Sequence, residues 1–251
     1  MHDNSLKTLT YSSSKNLADE LKNLIQTYKI VHLKYVPIDI NLITFYTEIV
    51  DTIGEAVSVG EDNTTGDLTG ERWTDVRYLK EKDYTFRHSN TRQPLHTDAA
   101  YTNQIFDVNF FFSLESAEVG GATVFIDGIN IIDILQRFEP ELFNDLISTD
   151  VIFQKGNETV KIKKPIELLN NGYELNWNNY RVSKDNSESV RKLCIDYNNF
   201  LENRIVSAGL LKPVYLKVGE GLFFQDSQVL HGRNSFYGNR YLIKGAFNLK
   251  K

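Results

Sequence analysis

The chain has 251 residues, with 28 Lys and Arg against 33 Asp and Glu, a net charge of -5 and a hydrophobic fraction of 41%. That apolar fraction can bury a substantial core in one domain, while the acidic balance gives no general electrostatic case for nucleic acid or an anionic membrane surface. Cys194 is the only cysteine, which excludes an intrachain disulfide. The opening residues lack a signal-peptide pattern and no apolar run approaches membrane-spanning length, so a soluble, cytoplasmic protein is expected.

In chain order, Leu17, Leu21, Leu24 and Ile25 recur at helical spacing behind a serine-rich start, with Ser14 as a cap. Residues 30–36 alternate Val31, Leu33 and Tyr35 against His32 and Lys34, which predicts a strand, and Ile43, Ile49 and Ile53 predict a second helix. Residues 60–71 carry Gly, Asp, Asn and Thr with almost nothing apolar and predict a mobile loop. Strands are then predicted at 107–115, 122–127, 160–166, 173–182, 215–218, 221–225 and 241–249, each rich in β-formers and bounded by turn residues. Short helices are predicted at 129–138 and 140–147. A stronger one follows the 3.6-residue period through Val190, Leu193, Cys194, Tyr197, Leu201 and Ile205, opened by Asn186 or Ser187 and closed near Gly209.

No repeat, linker or low-complexity stretch divides the chain. Residues 1–70 read as a helix-and-strand cover, and 71–251 as a core with a helical insert near 186–209. Many short strands with few helices predict a mainly β, α+β fold built on a double-stranded β-helix, or jelly roll.

The chemistry concentrates in His96-Thr97-Asp98. Five histidines and 33 acids make such a triplet common by chance, so its surroundings matter. On a strand, residues i and i+2 share a face, which lets His96 and Asp98 reach one ion while Thr97 points away. His231 follows the apolar run Leu222-Phe223-Phe224 and is the best third ligand. Two imidazoles and one carboxylate leave open positions on a metal, which is the pattern of non-haem Fe(II) oxygenases.

Pro94-Leu95-His96-Thr97-Asp98, then Phe110-Phe111-Phe112-Ser113-Leu114-Glu115, then Gly120-Gly121-Ala122-Thr123-Val124-Phe125-Ile126-Asp127, and later Leu230-His231-Gly232-Arg233-Asn234-Ser235-Phe236 together resemble one enzyme family. It is the taurine-dioxygenase and clavaminate-synthase branch of the Fe(II)/2-oxoglutarate-dependent oxygenases. The resemblance spans about residues 90 to 250, and the first 70 residues are too generic to count.

The resemblance implies that His96, Asp98 and His231 hold Fe(II), with 2-oxoglutarate and O2 as co-substrates. Arg240 would grip the far carboxylate of 2-oxoglutarate through paired hydrogen bonds, and Thr123 would add a hydroxyl donor. Arg240 stands nearer to the distal histidine than the family pattern usually places this arginine, so Lys244 is the rival anchor. With Arg240, Leu242 and Lys244 on one strand face, Lys244 otherwise becomes a contact for an acidic substrate group. Tyr101, Arg77 and Arg181 complete the candidate substrate contacts, while His88 reads as a loop or supporting residue. The expected reaction is oxidation, foremost hydroxylation, of a small amino acid or carboxylate-bearing metabolite. The presence of Asp98 argues against halogenation, because related halogenases replace this carboxylate. Desaturation, epoxidation and cyclisation stay open, as does a non-catalytic jelly roll that binds a metal or carboxylate.

Overall fold

The computed structural model describes residues 5–13, 16–60, 62, 69–102, 104–155 and 159–250. Ser14 and most of the loop expected at 60–71 lie outside the described residues. The chain begins with a strand that its polar composition concealed, β1 (Leu6–Thr10), then α1 (Leu17–Thr27), which buries Leu17, Leu21 and Ile25. Next comes β2 (Ile30–Lys34), parallel to β1 with Leu6 opposite Ile30. It ends one residue before Tyr35, which adopts φ 61° and turns to solvent, so the expected strand to residue 36 is cut short. In α2 (Leu42–Ile53), the Asn41 side chain caps the Thr44 amide. Its buried stripe is Leu42, Tyr46, Ile49, Val50 and Ile53. Ile43, expected on that face, is exposed, because the stripe starts one residue earlier and includes an aromatic.

Then follow β3 (Gly54–Val57), β4 (Thr74–Arg77), β5 (Gln93–His96), β6 (Val108–Glu115), β7 (Val119–Gly120) and β8 (Thr123–Asp127). The helices α3 (Gly128–Phe138) and α4 (Pro140–Ser148) lie close to their predicted bounds. Two hairpins come next, β9 (Val151–Lys155) with β10 (Thr159–Lys163), and β11 (Ile166–Leu169) with β12 (Gly172–Leu175). The strand expected at 160–166 is thus two strands, and that at 173–182 stops at Leu175. The backbone of Trp177 leaves the hairpin to exchange hydrogen bonds with Thr97, whose amide donates to the Trp177 carbonyl at 2.7 Å.

Ser187 caps α5 (Glu188–Phe200), and six residues of π-helix, Leu201–Val206, carry it toward Gly209 at φ 70°. The last strands are β13 (Lys212–Val214), β14 (Gly221–Phe224), β15 (Val229–Arg233), β16 (Phe236–Tyr237) and β17 (Tyr241–Leu249). No strand occupies 215–218. The pairing there belongs to β13, and Tyr215 is exposed.

Among the described residues, seven strands form the larger sheet, in the order β1-β2-β14-β6-β17-β3 with β4 also paired to β17. Four form the smaller sheet, β13-β8-β15-β5. Strand alternation sorts their side chains into three layers. Phe110, Phe112, Phe223 and Phe247 face outward from the larger sheet and pack with Tyr46, Ile25 and Leu21 of the first two helices. Val124, Ile126 and Leu230 face outward from the smaller sheet onto the later helices, beside Leu135, Tyr197 and Trp177. Phe111, Leu222, Phe224 and Leu242 from one sheet meet Phe125, Val214 and Val229 from the other in the space between. No helix among the described residues is long and apolar enough to cross a membrane.

Candidate active site

Two adjacent strands of the smaller sheet, β5 and β15, run antiparallel with His96 directly opposite His231. Their rings lie 4.2 Å apart between centroids. Just beyond the end of β5, Asp98 turns its carboxylate to both: Oδ1 is 3.7 Å from His96 Nε2 and Oδ2 is 3.6 Å from His231 Nε2. One ligand atom from each residue lies within 4.8 Å of the others. The pairing needs the strands to approach closely at Gly232, where a Cβ would come within 2.7 Å of the Gln93 carbonyl. Thr97 is buried against Trp177, away from the cluster, as alternation predicts.

The tautomers suit a metal. His96 Nδ1 is 2.9 Å from the Pro94 carbonyl, which can only accept, so Nδ1 carries the proton and Nε2 the lone pair. The Gln93 amide nitrogen, 3.1 Å from that Nε2, donates to it. Burial, reinforced by the neighbouring His96, lowers the pKa of His231 well below the ordinary value and keeps its ring neutral. Burial acts against ionisation of Asp98, yet the Lys244 ammonium beside it holds its carboxyl well below the usual carboxylate range. Two neutral imidazoles and an ionised carboxylate are the donor set that an open Fe(II) site requires.

A supporting layer of residues carried no sequence signal. Asp226 is almost fully buried and accepts hydrogen bonds from the backbone amides of Asp98 at 3.1 Å and Ala99 at 2.8 Å. Asn109, on β6, bridges the Oδ2 of Asp98 and the Oδ1 of Asp226, donating to each at 2.9 Å. Asp226 also lies 3.6 Å from His231 Nδ1, a nitrogen with no hydrogen-bond partner among the described residues. Burial and the charge of Asp98 raise the Asp226 carboxyl to about 6. The nearest thing to a hint is position alone: Asp226 stands three residues before β15 and five before His231.

The cluster opens into a cavity of about 550 Å³ between the sheets. Arg240, Leu242 and Lys244 all line it, as their expected shared face requires, with Arg240 immediately before β17. Arg240 is buried, donates through Nε to the Gly121 carbonyl at 3.1 Å and pairs with no carboxylate among the described residues. Burial, with the nearby Arg233, depresses its pKa to about 9. Thr123 lies on the same wall, behind the glycine pair. Both glycines have positive φ, and a Cβ on Gly120 would come within 2.2 Å of the Ser235 carbonyl. A buried guanidinium lacking an anion, with a hydroxyl beside it, fits a carboxylate ligand.

Lys244 is occupied differently: its Nζ is 2.6 Å from Asp98 Oδ2. Tyr101 and Arg181 line the cavity, the guanidinium carbon 4.9 Å from the ring centroid. Arg77 does not. Within β4, Thr74 and Val76 face the cavity, and alternation sends Arg77 to the other side, where it pairs with Asp75 and stacks on Tyr241. His88 is buried with Nδ1 against the Arg77 carbonyl, and Arg233 donates to the Phe86 and Thr91 carbonyls.

Comparison with known proteins accords with this geometry. The family model of taurine catabolism dioxygenase TauD, TfdA family matches residues 3–204. The chain belongs to that family. Its members are Fe(II)/2-oxoglutarate-dependent dioxygenases, and iron, 2-oxoglutarate and O2 are the cofactor and co-substrates to which the residues above are suited. The match takes in the first 70 residues, which carry no motif, and ends before His231, Arg240 and Lys244, whose places rest on the structure. Trimethyllysine dioxygenase, mitochondrial, of Gallus gallus is 28% identical over 161 residues, 59% of this chain and 38% of the relative. The match thus spans well under half of that relative's length.

Among solved structures, the non-heme iron oxygenase OrfP in complex with Fe and alpha-ketoglutaric acid superposes with a TM-score of 0.66 at 14% identity, over 94% of this chain and 80% of its own. The same protein has been solved with Fe, succinate and (3S)-hydroxy-L-Arg. An asparagine oxygenase with Fe(II), hydroxyasparagine and succinate superposes at 0.67 and 11% identity, over 96% and 93% of the two chains. At these identities the likeness establishes a shared fold.

Proposed function

We propose that the chain oxidises a C–H bond of a small amino acid or related carboxylate-bearing metabolite, foremost by hydroxylation, within a double-stranded β-helix core that forms one oxygenase domain. The observation that carries this reading is the meeting of His96, Asp98 and His231 at one point of a cavity whose wall holds Arg240, which has no acidic partner among the described residues. Iron, when bound, supplies dioxygen activation coupled to the conversion of 2-oxoglutarate to succinate and CO2.

The chain's own part is arrangement. His96 and His231 present ring nitrogens to one point, Asp226 holds the Asp98 backbone, and Asn109 donates to its carboxylate. Arg240 and Thr123 hold the far carboxylate of 2-oxoglutarate, and Leu95, Phe111 and Leu242 give the cavity a water-excluding wall. Lys244, Tyr101 and Arg181 face the remaining space and orient the substrate. Arg77 has no place in this assignment. The amino-acid products bound by the solved neighbours support the substrate class. The cysteine-poor sequence favours a reducing compartment such as the cytoplasm.

Anaerobic addition of Fe(II) and 2-oxoglutarate tests the reading. The expected result is a weak visible charge-transfer band in the wild type and none in His231→Ala. A wild type without the band, or a variant that keeps it, favours a non-catalytic binding protein. Substrate screening by stimulated succinate release, followed by mass analysis, then separates addition of one oxygen from loss of two hydrogens.

A further inference from the structure

The two candidate imidazole ligands are held unequally. His96 Nδ1 rests on the Pro94 carbonyl at 2.9 Å, a contact within its own strand, whereas His231 Nδ1 is buried with no hydrogen-bond partner among the described residues. A neutral imidazole carries one ring proton, and the nitrogen that keeps it offers no lone pair to a metal. For His231 the choice lies between two carboxylates: Asp98 Oδ2 stands 3.6 Å from Nε2, and Asp226 Oδ1 stands 3.6 Å from Nδ1.

Distance does not separate these acceptors, but their other partners do. Asp98 Oδ2 already receives the Lys244 ammonium at 2.6 Å and the Asn109 amide at 2.9 Å. A cation on that oxygen competes with a ring N–H and repels it. Asp226 Oδ1 instead meets neutral donors, the Asp98 amide at 3.1 Å and the Asn109 side chain at 2.9 Å. The ring proton therefore belongs on Nδ1, and the Nε2 lone pair is left facing the cluster.

Asp226 also has a rigid mount. It opens the short turn Asp226–Gln228 between β14 and β15. Just before the turn, Gln225 donates through its backbone amide to the Lys29 carbonyl at 2.9 Å and through its side chain to the Ile25 carbonyl at 2.7 Å. At its end, the Gln228 side chain donates to the Tyr173 carbonyl at 2.7 Å. Clamped on both flanks and almost fully buried, the carboxylate keeps its place beside the ring.

We propose that Asp226 is a positioning residue for His231: it accepts the Nδ1 proton, fixes the tautomer that frees Nε2 for a metal, and through the Asp98 and Ala99 amides places the carboxylate ligand from the same anchor. The proposal rests on the reading of this cluster as a metal site. It adds that the two histidines differ, one set by its own strand and the other by a buried acid.

The test uses the full chain, first metal-free and then titrated anaerobically with Fe(II). Nitrogen NMR of histidine-labelled protein, with His231→Gln to identify the signals, reports which ring nitrogen holds the proton. The wild type is expected to hold it on Nδ1 of His231. Asp226→Ala should release it, so that a population with the proton on Nε2 appears, and should raise the Kd for Fe(II) ~10- to 100-fold. Asp226→Asn keeps a carbonyl oxygen for the ring and should restore the tautomer and recover at least ~3-fold of the lost affinity. Asn109→Ala removes the bridge to Asp98 but no acceptor from His231, and should leave the tautomer unchanged. Should Asp226→Ala fail to fold, Asp226→Leu, closer in volume, takes its place by the same criteria. A wild type with the proton on Nε2, an unchanged tautomer in the variant without the acid, or an equal effect of Asn109→Ala overturns the proposal. Absence of the charge-transfer band in the wild type overturns the oxygenase reading, while a Nδ1 proton that depends on Asp226 upholds the pairing whether or not the band appears.

Discussion

Between the two sheets, the apolar floor and the charged cavity are made by the same strand faces, two residues apart. Val229 belongs to the floor and His231, two residues on, to the His–Asp cluster; Phe125 follows Thr123 by two, Phe111 follows Asn109 by two, and Leu242 precedes Lys244 by two. On the floor, Phe224 lies 4.8 Å from the His231 ring. A step of one pleat therefore separates groups that stabilise by leaving water from groups held out of water at a cost. The second set is seated on the first, which packs the space between the sheets.

That contrast can be broken at either side. The largest effect on stability is expected from Phe224→Ala, which opens a void in the floor and should lower the unfolding free energy by ~3–5 kcal/mol in urea titrations. His231→Ala, one pleat away, also removes an unpaired buried nitrogen, so its loss should be no more than ~2 kcal/mol although it abolishes the charge-transfer band. If the two variants lose equal stability, the division of labour between floor and cavity is wrong.

Arg240→Ala should raise the KM for 2-oxoglutarate by ~30- to 100-fold, the worth of a lost charge-assisted pair, with a smaller change for Lys244→Ala. The reverse order would make Lys244 the anchor. Asp226→Ala should weaken Fe(II) binding by ~10- to 100-fold, measured by anaerobic titration, because the amides of Asp98 and Ala99 lose their acceptor.

The smallest expected effect lies in the larger sheet, far from the cluster along the sequence. Burial lowers the pKa of His32 despite its 2.9 Å contact with Glu220. The unfolded chain therefore takes up this proton first, and the contribution is fully present above pH ~6.5 and lost as pH falls toward the lower folded value. Unfolding free energies that stay flat across that window, or that match those of His32→Gln throughout, would remove His32 as the cause.

Much of the site was legible because its signals are local. His96 and Asp98 are two apart on one extended segment, the glycine pair marks a turn that only positive φ allows, and the helical spacing through Tyr197 and Ile205 holds to the observed bounds. Other features were hidden because their cause is a distant partner. β1 has little apolar content, and its strand pairing comes from β2. Asp226 and Asn109 are ordinary polar residues until three segments bring them to Asp98. Arg77 looked like a cavity residue by its place in the chain, but the pleat of β4 turns it away.

By itself, then, the sequence determined the chemistry on offer: the identity and order of the metal-ligand types, the periodicities that select strands and helices, and the absence of a disulfide framework. Tertiary structure alone decided which cations share a cavity, that His231 stands opposite His96, and that Lys155 meets Arg181 on Tyr101. The physical reason is that residue type and spacing act along a few turns or pleats, whereas charge crowding and ligand convergence depend on strands far apart in the chain being paired in one register.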